Sequence, residues 1–182
     1  MTDIIEKLRD IFENLAADSY IGEDVTISEH MLQVAGAAEA EGADPALVAA
    51  CLLHDVGHYV GKNAEEAHNA GIDLAHERLG ADLIAPHFPD AVSEPVRLHV
   101  PAKRYLCAVE GGYFDVLSEA SKHSLKLQGG PMSDDEVRDF ESNPHHHAAV
   151  RLRRWEDGQG KVVGRETKPF QHYVPLLQSL LK

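Results

Sequence analysis

The stretch DPALVAACLLHDVGHY, residues 44–59, decides the fold. Asp44 followed by Pro45 marks a helix start: the carboxylate accepts from free N–H groups of the first turn, and proline fits the first helical position without losing a hydrogen bond. The apolar run that follows, with Cys51 as a small core residue, carries this helix to His54, and Gly57 ends it. Just upstream, the spacing predicts a helix from His30 to Glu41, capped by Ser28 and stopped by Gly42. The tight turn over 42–44 makes these two helices antiparallel neighbours, which brings His30 towards His54 and Asp55. Neighbouring residues in a regular helix point about 100° apart and do not serve one metal ion. At a fraying end they can, and a carboxylate beside an imidazole is able to bridge two ions.

The same alternation of helix and breaker extends in both directions. Ile4, Ile5, Leu8, Ile11, Phe12 and Leu15 fall at helical spacing behind Asp3 as a cap. Residues 63–71 are small and polar and read as a loop. Helices follow around 73–85, stopping before Pro86, and around 93–99, stopping before Pro101. The segment 115–127 reads as one amphipathic helix ended by Gly129, Gly130 and Pro131. Ser133 and Glu136 have capping-box spacing for a short helix to Glu141. Pro144 opens a helix carrying Val150, Leu152 and Trp155, closed by Gly158 and Gly160, and residues 169–181 form the last. No alternating strand pattern, repeat or linker interrupts the series. The expected fold is all-α, a single helical bundle over residues 1–182.

Composition agrees with a packed domain: 43% of the 182 residues are hydrophobic and 26% charged. Thirty acidic against 17 basic residues leave a net charge of −13. That balance excludes nucleic acid and anionic membrane surfaces as primary partners, since both require basic patches. No apolar run approaches the roughly 18–20 residues of a membrane span. The first residues lack the basic start and apolar stretch of a signal peptide, and two cysteines make no disulfide framework. A cytoplasmic location is expected.

Twelve histidines stand out. His76 (in LAHERLGADLI, 74–84) and His99 (in RLHVPAKRYL, 97–106) join His30 and His54 on separate predicted helices. A carboxylate near RLRRWED (151–157) completes an N/O donor set without thiolate, which suits iron, manganese or zinc. Any one of these could be a satisfied core histidine; five positions in this order could not all be. His145, His146 and His147 read as a solvated first helical turn. His68, His87, His123 and His172 read as surface, and Trp155 as core.

His30, then His54-Asp55, then a distal acid resembles the HD-domain superfamily, and the added His76 and His99 resemble its dinuclear branch. YIGE (20–23), HDVGHY (54–59), HERLGADLI (76–84), HVPAKRYL (99–106), LSEASKHSLKLQGGPM (117–132) and RLRRWED (151–157) are similar to the mixed-valent di-iron oxygenases of that superfamily. The resemblance implies two iron ions in the Fe(II)/Fe(III) state with O2 as co-substrate. Their ligands would be His30, His54, Asp55 as the bridge, His76 and His99. The last ligand would be Asp157 or Glu156. A family lysine four residues beyond the acid matches Lys161 if the acid is Asp157, which is therefore preferred. Lys103, His58, Ser121, Gln128 and one of Arg153 or Arg154 match residues lining an organophosphonate pocket, where a dianion needs several charge-assisted donors. Tyr20 and Glu23 match a lid pair whose tyrosine occupies an iron site until substrate arrives.

The implied reaction is oxidative C–P cleavage of a 1-hydroxy-2-(amino or trimethylammonio)ethylphosphonate to phosphate and glycine or glycine betaine. A primary ammonium would want acceptors such as Glu23; a quaternary one would want an aromatic wall, to which Tyr20 and Tyr59 could contribute. The rival is a metal-dependent phosphohydrolase of the same superfamily, which needs no O2.

Overall fold

Ten α-helices, with no strand among the described residues, build up residues 3–15, 23–60 and 75–182, the parts of the chain that the computed structural model describes. They are α1 (Ile4–Asp10), α2 (Ile27–Ala40), α3 (Pro45–Leu53), α4 (His76–Ile84), α5 (Asp90–Val109), α6 (Tyr113–Val116), α7 (Glu119–Leu127), α8 (Asp134–Ser142), α9 (His146–Gln159) and α10 (Phe170–Ser179). The all-α expectation holds.

Several caps are those the sequence announces. Asp3 accepts from Ile5 N–H at 3.1 Å. Asp44 accepts from Ala46 N–H at 2.9 Å. Ser133 and Glu136 cap each other's backbone at the start of α8. Where the structure departs from expectation, a local reason is visible. The first helix does not run regularly to Leu15; it loosens into one π turn over Ile11–Leu15. α2 starts at Ile27 because Thr26, not Ser28, is its cap. Thr26 Oγ1 accepts from Glu29 N–H at 3.1 Å while Glu29 Oε2 accepts from Thr26 N–H at 2.8 Å. That reciprocal pair satisfies two donors where Ser28 would satisfy one.

Pro101 does not stop its helix. α5 runs through both Pro95 and Pro101. An interior proline costs about 3 kcal/mol, and α5 offsets this by packing against α3, α4 and α9 with Val92, Val96, Val100, Ala102 and Leu106 buried. The predicted 115–127 helix is two helices. Leu117 is extended (φ −67°, ψ 144°), and Ser118 caps α7 by accepting from Ser121 N–H at 3.1 Å. The break drops Leu117 into a small core with Leu106, Tyr113 and Leu125. α9 begins at His146, two residues beyond Pro144. The predicted loop 63–71 lies outside the described residues.

Every residue of α3 from Ala46 to Leu53 is buried, so this helix is the axis of the main core, with α2, α5 and α9 around it. At the other side the π turn after α1 and the start of α10 close the bundle through stacked Phe12 and Phe170 rings, 4.7 Å apart. No helix among the described residues is long and apolar enough to cross a membrane. Into this apolar interior the fold buries His30, His54, Asp55, His99, Lys103, Arg153 and Glu156, a set that needs an explanation.

Candidate metal centre

Asp55 is the pivot. α3 ends at Leu53, and the chain turns through His54 and Asp55 into a 3-10 turn over Val56–Tyr59, so the adjacent pair is freed from helical geometry. Asp55 Oδ2 lies 3.5 Å from His30 Nε2 and 3.4 Å from His54 Nε2. Asp55 Oδ1 lies 3.3 Å from His76 Nε2 and 3.5 Å from His99 Nε2. One carboxylate therefore shows each oxygen to a different histidine pair. Both triplets, His30–His54–Asp55 and Asp55–His76–His99, have the closeness of metal-ligand sets.

Close packing sets this spacing. A Cβ on Gly57 would fall 1.9 Å from the His76 carbonyl oxygen and 2.6 Å from Gly80 N, so only glycine lets the turn carrying Asp55 touch α4. Ala75, just before His76, is held at φ 51°, a left-handed conformation costing roughly 1–2 kcal/mol.

The ring nitrogens show what the gaps are for. His30 Nδ1 donates to Gly160 O (2.8 Å), His54 Nδ1 to Cys51 O (2.8 Å) and His99 Nδ1 to Val96 O (2.7 Å). A carbonyl only accepts, so in each neutral ring the Nε2 carries a lone pair. Yet His30 and His54 Nε2 face each other at 3.1 Å, as do His76 and His99. Both Asp55 oxygens and Glu156 Oε2 are buried without a hydrogen-bond partner. Converging lone pairs and orphaned carboxylate oxygens fit a pair of cations, and Nδ1–H anchored to a carbonyl is the usual arrangement of a metal-binding histidine. Burial drops His30 to a pKa of about 4, with the His54 charge adding to it. Burial also opposes charge on His54, but Asp55 and Glu156 outweigh it and hold that ring at about 9. A metal ion would displace this proton.

Of the two neighbouring acids, the structure brings Glu156 to the cluster and not the preferred Asp157. Glu156 Oε2 lies 4.0 Å from His54 Nε2, and its Oε1 accepts from Arg153 Nη1 at 2.7 Å. Burial raises the Glu156 pKa, yet Arg153 and the histidines pull it to about 2. Asp157 points a third of a turn away, where it accepts from Arg153 Nε at 2.8 Å, from Arg153 Nη2, and from the Tyr113 hydroxyl at 2.6 Å. The buried stripe Ala149, Leu152, Arg153 and Glu156 was the sequence signal that distinguishes them. Arg153 is likewise inside, whereas Arg154 pairs with Glu110 at the surface.

Beside the cluster lies a set of polar side chains, the candidate substrate pocket. Lys103, one turn beyond His99 on α5, donates to Ser124 Oγ at 2.7 Å; burial, reinforced by Arg153, lowers its pKa to about 7. Gln128 has a buried Oε1 without a partner. Lys161, which the sequence reading used only to set a register, reaches Glu23 (2.7 Å), Ser121 Oγ (2.9 Å) and Ser118 Oγ (3.1 Å). His58 stacks on His76, ring centres 4.1 Å apart, with its Nε2 3.9 Å from Asp55 Oδ1. Tyr59 packs against the main core. Tyr20 and His68 lie outside the described residues. His87, His123, His147 and His172 are exposed, and His145 and His146 are part-exposed at the start of α9.

Comparison with known proteins gives the family. Residues 27–139 match the HD domain family model. The chain is 45% identical to hydroxymethylphosphonate dioxygenase of Gimesia maris, over 97% of this chain and 89% of that protein. It is 41% identical to the glycine-betaine-forming [1-hydroxy-2-(trimethylamino)ethyl]phosphonate dioxygenase of Leisingera caerulea, over 98% and 91%. A third relative is uncharacterized protein L432 of Acanthamoeba polyphaga mimivirus, 34% identical over 97% and 83%. The chain belongs to the HD-domain family, on the branch that holds these phosphonate dioxygenases.

Proposed function

We propose that the protein is a cytoplasmic, single-domain dioxygenase that uses O2 to cleave the C–P bond of a small 1-hydroxyphosphonate. The observation that carries this reading is the Asp55 carboxylate with one oxygen towards each histidine pair. His30, His54, Asp55 and Glu156 would hold one iron, and Asp55, His76 and His99 the other. When bound, an Fe(II)/Fe(III) pair supplies Lewis acidity and the redox capacity for oxidation with O2.

The chain's own residues bind and orient the substrate. The substrates named for the two dioxygenase relatives carry a hydroxyl and a phosphonate on one carbon, and that shared unit is what the pocket fits. Lys103 brings a positive charge whose partner is a neutral hydroxyl, so it is the strongest attraction for a dianion. Lys161 is matched by Glu23; a phosphonate would take the place of that carboxylate, which makes Glu23, with Tyr20 beside it in sequence, the lid. Ser121 and Gln128 add neutral hydrogen bonds. Arg153 holds Glu156 in place and adds positive potential. Hydroxymethylphosphonate lacks the second carbon that bears the amino or trimethylammonio group in the other two compounds; each balances with one O2 to phosphate and a carboxylate, formate in the one-carbon case.

Phosphate release from all three compounds, with iron-loaded protein in air and without oxygen, tests the reading. O2-dependent release is the expected result, and the best substrate identifies the substituent. Oxygen-independent release from a phosphate ester, with none from the phosphonates, would establish a phosphohydrolase instead.

A further inference from the structure

Gln33 is a buried amide, 3% exposed, one turn beyond His30 on α2. It reaches across to the segment that follows α9. Its Nε2 donates to Val162 O at 2.8 Å, and its Oε1 accepts from Val162 N–H at 2.9 Å. The side-chain amide thus pairs with one residue's backbone as a neighbouring strand would, satisfying a donor and an acceptor together. Residues 160–162 sit astride the whole site. The Gly160 carbonyl is the group that accepts from His30 Nδ1 and turns that ring's Nε2 to the cluster. Gly160 is also the only residue type that fits: a Cβ there would lie 2.8 Å from the His30 ring and from Glu156 O. The next residue, Lys161, sends its ammonium into the polar pocket. Three consecutive residues therefore touch the metal side, the pocket and Gln33 in turn.

We propose that Gln33 is a positioning residue: by clamping the backbone of Val162 it sets both the Gly160 carbonyl behind His30 and the Lys161 ammonium in the pocket, coupling metal affinity to phosphonate binding. The metal half needs only the geometry above, while the phosphonate half rests on the proposed function. Losing the clamp removes both bonds across to Val162, leaving its carbonyl only the 3.3 Å turn bond from Arg165 N–H, and lets the 160–162 segment shift as a unit.

The test compares Gln33→Leu with wild type by two readouts, Co(II) affinity from equilibrium dialysis of the metal-free chain and KM for hydroxymethylphosphonate. The expected result is Co(II) binding weakened about 10-fold at one of two sites, the lower end of what lost outer partners of metal ligands cost, with KM raised several-fold and kcat changed less. Gly160→Ala, whose Cβ displaces the same segment, should reproduce both effects and Lys161→Met only the KM effect. If Gln33→Leu fails to fold, Gln33→Glu, which keeps the bond from Val162 N–H, replaces it. Either readout at its wild-type value in a folded variant overturns the coupling, even if thermal stability has dropped. If the wild type turns over no phosphonate, the proposed activity fails and the Co(II) arm alone decides the clamp.

Discussion

The two histidine pairs around Asp55 are alike in composition and unlike in setting. His30 and His54 are fully buried, and both are anchored through Nδ1 to backbone carbonyls, Gly160 and Cys51. In the other pair His99 is anchored the same way by Val96, but His76 is 14% exposed, has the Glu77 carboxylate 3.9 Å from its Nδ1, and is covered by the His58 ring. Glu156 adds a carboxylate to the first half, 4.0 Å from His54 Nε2. The first pair is sealed from solvent, and the second reaches it at His76.

The largest effect should separate the two neighbouring acids. Glu156→Ala removes a charged donor from the sealed half and should weaken one metal by more than about 100-fold, beyond the range for outer partners. Asp157→Ala should keep both metals while Arg153 loosens and KM rises. Metal analysis that shows the reverse would return the ligand role to Asp157. A smaller effect concerns exchange. Chelator challenge of the two-metal protein should release metal in two phases, and His58→Ala should speed only the fast one, since it uncovers His76 and leaves His30 sealed. A single phase would show that the halves are equivalent.

The smallest effect is a pH dependence. The Lys103 pKa is lowered to about 7, so its ammonium is charged below that pH and lost above it. In the free enzyme kcat/KM should therefore fall as pH rises through about 7, and Lys103→Arg, which stays charged, should flatten that limb. Arg153, Glu156, Asp157 and Lys161 all act on this group, so the midpoint should shift in Asp157→Asn.

How far the sequence foretold this site follows from what each residue depends on. That His30, His54, Asp55, His76 and His99 come together was legible because local signals placed them: caps at Asp44 and Pro45, a glycine after the histidine–aspartate pair, and histidines on successive helical segments. Thr26 was overlooked although its capping box with Glu29 is a local pattern; Ser28 was the nearer hydroxyl to the apolar run. Asp157 was preferred to Glu156 because motif register was weighed above helical phase, whereas Ala149, Leu152 and Arg153 share the buried face that carries Glu156. Pro101 misled for a different reason, since burial against three helices overrides a local penalty. Lys161 and Gln33 were beyond local reading. Their roles depend on how the segment after α9 returns over α2, a tertiary approach with no periodicity to announce it.

The central claim is that one carboxylate organises two metal positions. Metal content and phosphate release should be measured together on wild type, Asp55→Ala and His76→Ala after iron loading. Wild type should hold two irons per chain, Asp55→Ala neither tightly and His76→Ala one, with O2-dependent phosphate release only in the wild type. One iron per wild-type chain, or Asp55→Ala retaining both, would contradict it.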